Sequence, residues 1–495
     1  MPNRVRSTVL VVLFIMITAL GTVFAGEASA DSAGTVHFVR AANSSFDQFT
    51  SSPSLEAQEW LNAHMWRMVV WSPYFDDKTS WYPNGWVYDD SYAIYRESQL
   101  AGQHPEWILK DAAGNRLYIP YGCSEGTCPQ YAADISNPAY RQYWINNLKA
   151  EVAHGYKGVF VDDVNMEMKV GNGQEERVAP IDPSTGRPMT EDAWRGYMAH
   201  FMAEIREALP GVEIVHNAIW FADEDAGTAN PDIKNEISAA NYILLERGVN
   251  DSGLTGGDGP WSLNAFLSFI DQVHALGKGV VLGGDASDPQ GLEYNLAAYF
   301  LISTGNDAVS GGEQTPENWW AGWNVNLGEA TGPRYTWDNL LRRDFAGGMV
   351  LVNAPDEPTQ TVTLSTPMRN VNGETVTSVT LPAGSGAILV GTTPSTTTPQ
   401  PTTPAPTETT VETRPAVSSP TAPSAGTNSG TESSSSSESP KPTSTTISKS
   451  TQPAPSQHKA DKHKSSKHKP RSGARLARSA RARRAHHYHA AKTRR

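Results

Sequence analysis

Two adjacent carboxylates close a short apolar run in the segment "GVFVDDVN", residues 158–165. Asp162 and Asp163 would repel each other, and a buried carboxylate costs several kcal/mol unless it is paired or hydrogen-bonded. Because side chains alternate along a strand, only one of the two can point into the interior, while the other can accept loop N–H bonds. The pattern favours one acid that acts on a substrate, although two loop acids that start a turn also fit it.

Two other carboxylates follow apolar runs. Glu246 ends "NYILLE", where an acid after four apolar residues indicates either a function or a structural pair with Arg247. Asp285 follows "VVLGG", although its place before "SDPQG" is more typical of a turn. Two carboxylates that converge on one cavity hydrolyse glycosides: one attacks or stabilises the sugar cation, and the other protonates the leaving oxygen. We therefore predict Asp162 or Asp163, with Glu246, as catalytic, and Asp285 as a candidate substrate contact.

Aromatic side chains that could stack on sugar rings accompany the acids. A single Trp is more often a core residue than a sugar platform, but three within five residues of the loop "ENWWAGWN" favour a platform. Asn217 and its neighbour end another apolar run and could hydrogen-bond either sugar hydroxyls or the backbone at the strand ends. No metal-ligand or phosphate-loop spacing occurs, so we expect neither a metal nor an organic cofactor. The predicted sugar contacts are Trp71, Trp81, Trp86, His216, Asn217, Trp319, Trp320 and Trp323.

Short apolar runs alternate with helix-like segments across the region that must position these residues. Asn137 before Pro138 predicts one helix start, and Ser262 predicts another, whose helix Gly277 ends. Eight strand candidates over about 300 residues favour an α/β fold, a (β/α)8 barrel. An open doubly wound sheet is the competitor, but no Gly-rich loop follows the first strand. The candidates are residues 35–42, 67–73, 92–95, 158–163, 212–217, 241–248, 279–285 and 307–312.

Composition divides the chain into five parts. Residues 1–30 combine early arginines, an apolar stretch and a small-residue site, which indicates a secretory signal; an uncleaved anchor is the alternative. Residues 31–333 are the predicted barrel, and the alternating Val and Thr of residues 334–391 predict a small antiparallel β subdomain. Residues 392–457, rich in Ser, Thr and Pro, cannot bury enough apolar surface to fold and predict a disordered linker. Residues 458–495 form a basic tail.

Cys123 and Cys128 are the two cysteines of the chain, in "YGCSEGTC". In an exported protein, two cysteines separated by four residues that include Gly predict a loop-closing disulfide. A redox or metal pair is the less typical alternative, because the spacing is not C-x-x-C.

The sequence resembles a family of hypothetical glycosyl hydrolases found in secreted bacterial proteins. The segments that carry the resemblance are "HPEWILKDAAGNRLYI", "YAADISNPAYRQYW", "GYKGVFVDDVN" and "RRDFAGGMVLVNAPDEP", and it spans about residues 35–391. It implies a barrel glycosidase whose Asp nucleophile ends strand four, matched best by Asp162, or by Asp163 if aligned through "DVN". It also implies an acid/base after strand five or six, where Glu246 fits. We expect a secreted glycoside hydrolase acting on a poly- or oligosaccharide; a noncatalytic carbohydrate-binding or wall-associated barrel is the alternative.

The basic tail differs sharply in charge from the rest of the chain. Residues 458–495 hold 14 Lys and Arg against one acid, whereas the whole chain has a net charge of −12. Exposed charges of this density attract polyanions through many weak contacts. The exported location favours anionic cell-wall polymers or lipid headgroups over nucleic acid. A solvated charge run without a specific partner is the alternative.

We expect the full-length protein to bind isolated cell envelopes more strongly than a form that ends at Thr392. The binding should weaken as salt is added, since exposed charges are screened beyond about 8 Å at physiological ionic strength. Sedimentation with envelopes over a salt series measures both effects. Equal binding of the two forms, or binding that persists in molar salt, would rule out an electrostatic tether.

Overall fold

The computed structural model describes residues 32–40, 49–174, 176–218, 229–284, 286–311 and 314–392. Eight strands in this part of the chain close into a barrel with parallel pairing throughout, which confirms the predicted (β/α)8 architecture. They follow one another around the barrel in chain order. The strands are β1 (Phe38–Arg40), β2 (Arg67–Val70), β3 (Gly85–Asp90), β4 (Gly158–Asp162), β5 (Glu213–Asn217), β6 (Tyr242–Leu245), β7 (Gly279–Leu282) and β8 (Ala308–Ser310).

Helices surround the barrel and begin at capping residues. Asn137 and Ser262 each accept a backbone N–H at a helix start, as the sequence predicts. In the residues described, no helix has both the length and the apolar character needed to cross a membrane. The helices are α1 (Leu55–His64), α2 (Gln99–Gln103), α3 (Pro138–Val152), α4 (Glu191–Ala208), α5 (Pro231–Ala239), α6 (Leu263–Ala275) and α7 (Pro289–Ile302).

The third barrel strand differs from the sequence prediction. Residues 92–95 were expected in this place, but Ala93–Tyr95 pairs antiparallel with Gln130–Ala132 in a two-stranded sheet outside the barrel. The barrel position belongs to β3, which pairs with β2 on one side and β4 on the other. The prediction was wrong because β3 ends in two acids and begins with Gly, so its apolar core is only three residues long.

A second sheet follows the barrel and packs against α7. Gly386 allows this close packing, since an added Cβ would lie 2.7 Å from the Cβ of Ala297. Arg343 also joins the two parts by donating to the carbonyl oxygens of Phe300 and Ser303 at the end of α7. The predicted antiparallel subdomain is confirmed. Its strands are β9 (Tyr335–Trp337), β10 (Leu340–Phe345), β11 (Gly348–Asn353), β12 (Gln360–Arg369), β13 (Thr375–Leu381) and β14 (Ser385–Gly391), in the order β9-β10-β11-β14-β12-β13.

An ion pair closes the amino-terminal end of the barrel. Glu213 accepts two hydrogen bonds from the guanidinium of Arg67, both at 2.8 Å, and a third from the indole of Trp86 at 2.8 Å. Burial raises the pKa of Glu213, but these donors outweigh it and leave the pKa below the ordinary 4.5. The barrel therefore depends on a bidentate charged contact between β2 and β5.

Replacing Glu213 by Gln should destabilise the protein by about 3 kcal/mol at pH 7, because Arg67 would be left without its anionic partner. Since the pKa of Glu213 is lowered in the folded state, its contribution is present above pH 4.5 and is lost as the pH falls below that value. Urea unfolding at pH 7 and pH 3 measures this difference. Asp192→Asn, which breaks an exposed pair with Arg195, is the control and should have no measurable effect. A Glu213→Gln loss that is the same at both pH values would contradict the ionic explanation.

Candidate active site

The carboxyl-terminal mouth of the barrel collects side chains from successive strands. Val69, Phe160 and Val215 pack together inside the barrel. Because side chains alternate along a strand, the positions two residues further on face the same side, at the mouth. This alternation directs three predicted site residues, Trp71, Asp162 and Asn217, to the same end, and Glu246 follows the last residue of β6. The positions that alternation directs there are Trp71 after β2, Asp90 in β3, Asp162 in β4, Asn217 in β5 and Ser310 in β8.

Asp162 ends β4 and is held by three donors. It is 6% exposed. Its Oδ2 accepts from the Tyr88 hydroxyl at 2.6 Å, and its Oδ1 accepts from Asn217 Nδ2 and from the backbone N–H of Asp163, each at 2.8 Å. Hydrogen bonds of this kind stabilise negative charge and fix the orientation of the carboxylate. A carboxylate has about four acceptor sites, of which the described residues fill three.

Asp163 leaves the extended conformation of the strand. Its φ is 56°, in the left-handed region that few residues other than Gly adopt. Its Oδ1 accepts from Asn165 Nδ2 at 3.0 Å, and its carbonyl oxygen accepts from the hydroxyl of Ser91 at 3.0 Å. The turn thus gives the two neighbouring acids different surroundings, as the repulsion between them requires.

A buried lysine interacts with two acids of the mouth. Lys169 is 6% exposed, and its charge interacts with those of Asp163 and Glu246. Burial lowers the pKa of Lys169 to about 8, while the carboxylates of Asp163, Glu167 and Glu246 act in the opposite direction. Lys169 therefore links the second acid after β4 electrostatically to the acid after β6.

Asp90 is an acid that the sequence analysis did not select. Its Oδ1 lies 3.0 Å from the Tyr88 hydroxyl, and its Oδ2 accepts from the Tyr95 hydroxyl and from Gln130 Nε2, each at 3.1 Å. Burial raises the pKa of Asp90 to about 8, and the negative charges of Asp162 and its neighbour act in the same direction. Asp90 is therefore predominantly neutral at pH 7.

A resemblance between two strands could have revealed Asp90. The sequence "GWVYDD" of β3 resembles "GVFVDD", which is β4 with the residue that follows it, since both begin with Gly and end in two acids. In the sheet Asp90 pairs in register with Asp162. Tyr95 and Gln130 gave no such signal, because they reach Asp90 from a sheet formed within the long segment between β3 and α3.

Two predicted sugar contacts lie away from the mouth. Trp86 is fully buried at the amino-terminal end of the barrel, where its indole donates to Glu213. His216 is also fully buried and faces outwards, with its Nδ1 2.7 Å from Oε1 of Glu236 in α5. Alternation along β5 explains this, since His216 and Asn217 must face opposite sides. We therefore assign neither Trp86 nor His216 to a sugar.

The remaining tryptophans serve mainly in packing. Trp319 packs edge-on against Phe38 in β1 and Trp60 in α1, with ring centroids 5.4 and 5.6 Å apart, respectively. Trp323 is buried against Phe38 and is T-shaped to Trp320. The three tryptophans of the loop after β8 thus contribute to packing around β1, although Trp319 and Trp320 keep partial exposure.

Trp81 and Asp285 complete the predicted set. Trp81 packs on Phe75 and Tyr82, and the Tyr82 hydroxyl donates to the carbonyl oxygen of Met65, which precedes β2. Trp81 therefore packs on Tyr82, which is hydrogen-bonded to the backbone on the amino-terminal side of the barrel. Asp285 lies outside the described residues.

The mouth offers a carboxylate that could attack a substrate. Asp162 is oriented by three donors of the described residues, and Asp90 lies two hydrogen bonds away through Tyr88, without a direct contact to Asp162 among the hydrogen bonds described. Glu246 directly follows β6, and its charge interacts with that of Lys169. Within the ranges that the structure describes, no group of three or more His, Cys, Asp or Glu residues is arranged to hold a metal ion.

A parallel barrel with acids at its carboxyl-terminal mouth is the architecture of many enzymes, and paired acids there are typical of glycosidases. The chain belongs to hypothetical glycosyl hydrolase family 15, whose family model matches residues 74–349. That range starts after β2, includes Asp90, Asp162 and Glu246, and ends within the second sheet. The resemblance inferred from the sequence is confirmed. No curated protein matches the chain.

Several solved structures are similar to this chain at low identity. The glycoside hydrolase domain of PelA from Pseudomonas aeruginosa has 13% identity and a TM-score of 0.34, covering 56% of this chain and 94% of its own. The noncanonic maltogenic alpha-amylase AmyB from Thermotoga neapolitana has 12% identity and a TM-score of 0.42, covering 72% and 98%. A xylosidase from Aspergillus niger has 11% identity and a TM-score of 0.39, covering 74% and 65%. With TM-scores below 0.5, these likenesses say nothing about the activity of this chain.

The predicted disulfide between Cys123 and Cys128 is confirmed. It closes a turn that lies two residues before Gln130, which donates to Asp90. The bond thus constrains the segment that delivers one of the donors to the mouth.

The peptide that contains Cys123 and Cys128 should be two hydrogens lighter without reductant than after reduction. Mass spectrometry of the purified protein, alkylated before digestion, measures this directly, and a Cys123→Ser, Cys128→Ser variant provides the unbridged control. Alkylation of both cysteines in unreduced wild-type protein would show that the bond does not form.

Proposed function

We propose that this protein is a secreted glycoside hydrolase that cleaves O-glycosidic bonds of a poly- or oligosaccharide with two carboxylates. The arrangement of Asp162 is the observation that carries the proposal. Three donors orient this carboxylate at the barrel mouth, and the described residues leave one of its acceptor sites open. Membership of a glycosyl hydrolase family supports a carbohydrate substrate. The signal-like residues 1–30 support secretion.

Asp162 is the proposed nucleophile, or the base if water attacks. Among the described residues its Oδ1 accepts from two donors and its Oδ2 from one, so the lone pair left open is on Oδ2, the oxygen hydrogen-bonded to Tyr88. Asp163 is less suited to this role because its backbone turns at φ 56° and its carboxylate binds Asn165. This assignment selects between the two acids that the sequence left open.

Glu246 is the proposed acid/base. It directly follows β6, whose carboxyl-terminal end lies at the same mouth as that of β4, with Asn217 on the intervening strand β5. Its charge interacts with that of the buried Lys169. Trp71, which packs on Tyr88 with centroids 5.4 Å apart, is the proposed platform for a sugar ring.

The stereochemical outcome follows from the separation of the two carboxyl groups in the complex with substrate. A separation of about 5–5.5 Å gives retention of the anomeric configuration, and about 6.5–9.5 Å leaves room for water and gives inversion. NMR of the first product formed distinguishes the two outcomes.

Asp162→Asn should lower kcat by about 10³-fold or more, because it removes the nucleophile or base. Glu246→Gln should lower it by about 10²- to 10⁴-fold, most strongly with a poor leaving group that needs a proton. A panel of polysaccharides, followed by product NMR on the substrate that is cleaved, measures both effects.

Two matched variants test the assignment. Asp163→Asn removes the adjacent acid and should cause a much smaller loss than Asp162→Asn. Asp111→Asn, in an exposed turn, should leave activity unchanged. Equal activity of the wild type and Asp162→Asn would exclude Asp162 from the mechanism, and binding of a polysaccharide without cleavage would favour the noncatalytic alternative.

A further inference from the structure

A single phenol hydroxyl lies between two carboxyl groups of the mouth. Tyr88 Oη is 2.6 Å from Oδ2 of Asp162 and 3.0 Å from Oδ1 of Asp90. A phenol has one proton, so it can donate to only one of the two acids at a time. The second contact would then place a lone pair of the hydroxyl oxygen against a lone pair of the other carboxyl group. That contact is unfavourable unless the carboxyl group carries a proton of its own.

The other oxygen of Asp90 indicates where that second proton lies. Its Oδ2 accepts from the Tyr95 hydroxyl and from Gln130 Nε2, so both donors occupy that oxygen. A proton on Asp90 must then be on Oδ1, which faces Tyr88. In this arrangement Asp90 donates to Tyr88, Tyr88 donates to Asp162, and every contact has one donor and one acceptor.

The groups around Asp90 favour the neutral acid. The groups with the largest effects on Asp90 are two acids, Asp162 and Asp163, and two phenols, Tyr88 and Tyr95. Burial raises the pKa of Asp90 to about 8, and the charges of the two acids at the end of β4 contribute to the same shift. The interacting groups are Tyr88 and Asp89 of β3, Tyr92 and Tyr95 of the segment after it, Tyr140 of α3, and Asp162 and Asp163 at the end of β4.

We propose that Asp90 is a positioning residue: as a neutral acid it donates a hydrogen bond to the oxygen of Tyr88, so that the Tyr88 hydroxyl donates its own hydrogen bond to Asp162. This inference rests on the proposed role of Asp162 as the acting carboxylate. Asp90 itself need not touch the sugar. Its function is to keep Asp162 oriented and to keep a second negative charge away from it.

The arrangement makes activity depend on pH. Below about pH 8 Asp90 is neutral and the chain of two hydrogen bonds is intact. Above that pH Asp90 becomes an anion, so Tyr88 is shared between two carboxylates and Asp162 gains a charged neighbour. We therefore expect kcat to fall on the alkaline side with an apparent pKa near 8, while KM changes little.

Asp90→Asn is the decisive variant because an amide reproduces the neutral acid. Its oxygen can accept from Tyr95 and Gln130, and its NH₂ can donate to Tyr88, but it cannot ionise. We expect near-wild-type kcat at pH 7 and no alkaline fall. Tyr88→Phe should lower kcat by about 10- to 100-fold at pH 7, since a hydrogen bond to a charged group is lost. Asp134→Asn, which removes a buried acid outside this chain of contacts, should keep the alkaline fall.

Infrared difference spectroscopy tests the protonation of Asp90 without relying on activity. A protonated carboxyl band should disappear near pH 8 in the wild type and be absent at all pH values in Asp90→Asn. Loss of kcat in Asp90→Asn at every pH, an alkaline fall that this variant retains, or no band attributable to Asp90 would each overturn the inference. If the wild type cleaves no glycan but the band titrates as expected, the proposed function fails while the protonation of Asp90 stands.

Discussion

The two-residue alternation of parallel strands determines which side chains can meet in this barrel. Each strand directs every second residue inwards, and the eight strands close in chain order, so inward positions from neighbouring strands form layers. Arg67, Trp86 and Glu213 fill the layer at the amino-terminal end. Asp90, Asp162 and Asn217 lie on the same sides of their strands at the opposite end. Packing and ion pairing at one end thus fix the orientation of the polar groups at the other.

Like charges are tolerated at the mouth because each acid has different surroundings. Asp162 accepts three hydrogen bonds, whereas the backbone turn of Asp163 directs its carboxylate to Asn165. Asp90 is buried with a raised pKa, and the charge of the buried Lys169 interacts with those of Asp163, Glu167 and Glu246. The neighbouring acids therefore lie in different environments, and this is how the chain accommodates two adjacent aspartates at the end of β4.

Local pattern was sufficient to predict the barrel, the second sheet, the disulfide and the inward position of one acid after β4. The same alternation, applied to residues 212–217, would have placed Asn217 inwards and His216 outwards, as the structure has them. The strand β3 was missed because its apolar part is short and Trp86 resembled a sugar platform. The packing of Trp319 on β1 and α1, and the contacts of Tyr95 and Gln130 with Asp90, depend on distant parts of the chain. No local pattern encodes contacts of that kind.

A crystal structure of the Asp162→Asn variant with an uncleaved oligosaccharide tests the central claim most directly. The account predicts that the sugar lies at the carboxyl-terminal mouth, with its anomeric carbon beside residue 162 and its leaving oxygen within hydrogen-bond distance of Glu246. The side-chain carboxyl carbon of Glu246 should lie about 5–9.5 Å from that of residue 162, the span of the two hydrolase geometries. A sugar bound elsewhere, or a separation beyond about 10 Å, would contradict the two-carboxylate assignment.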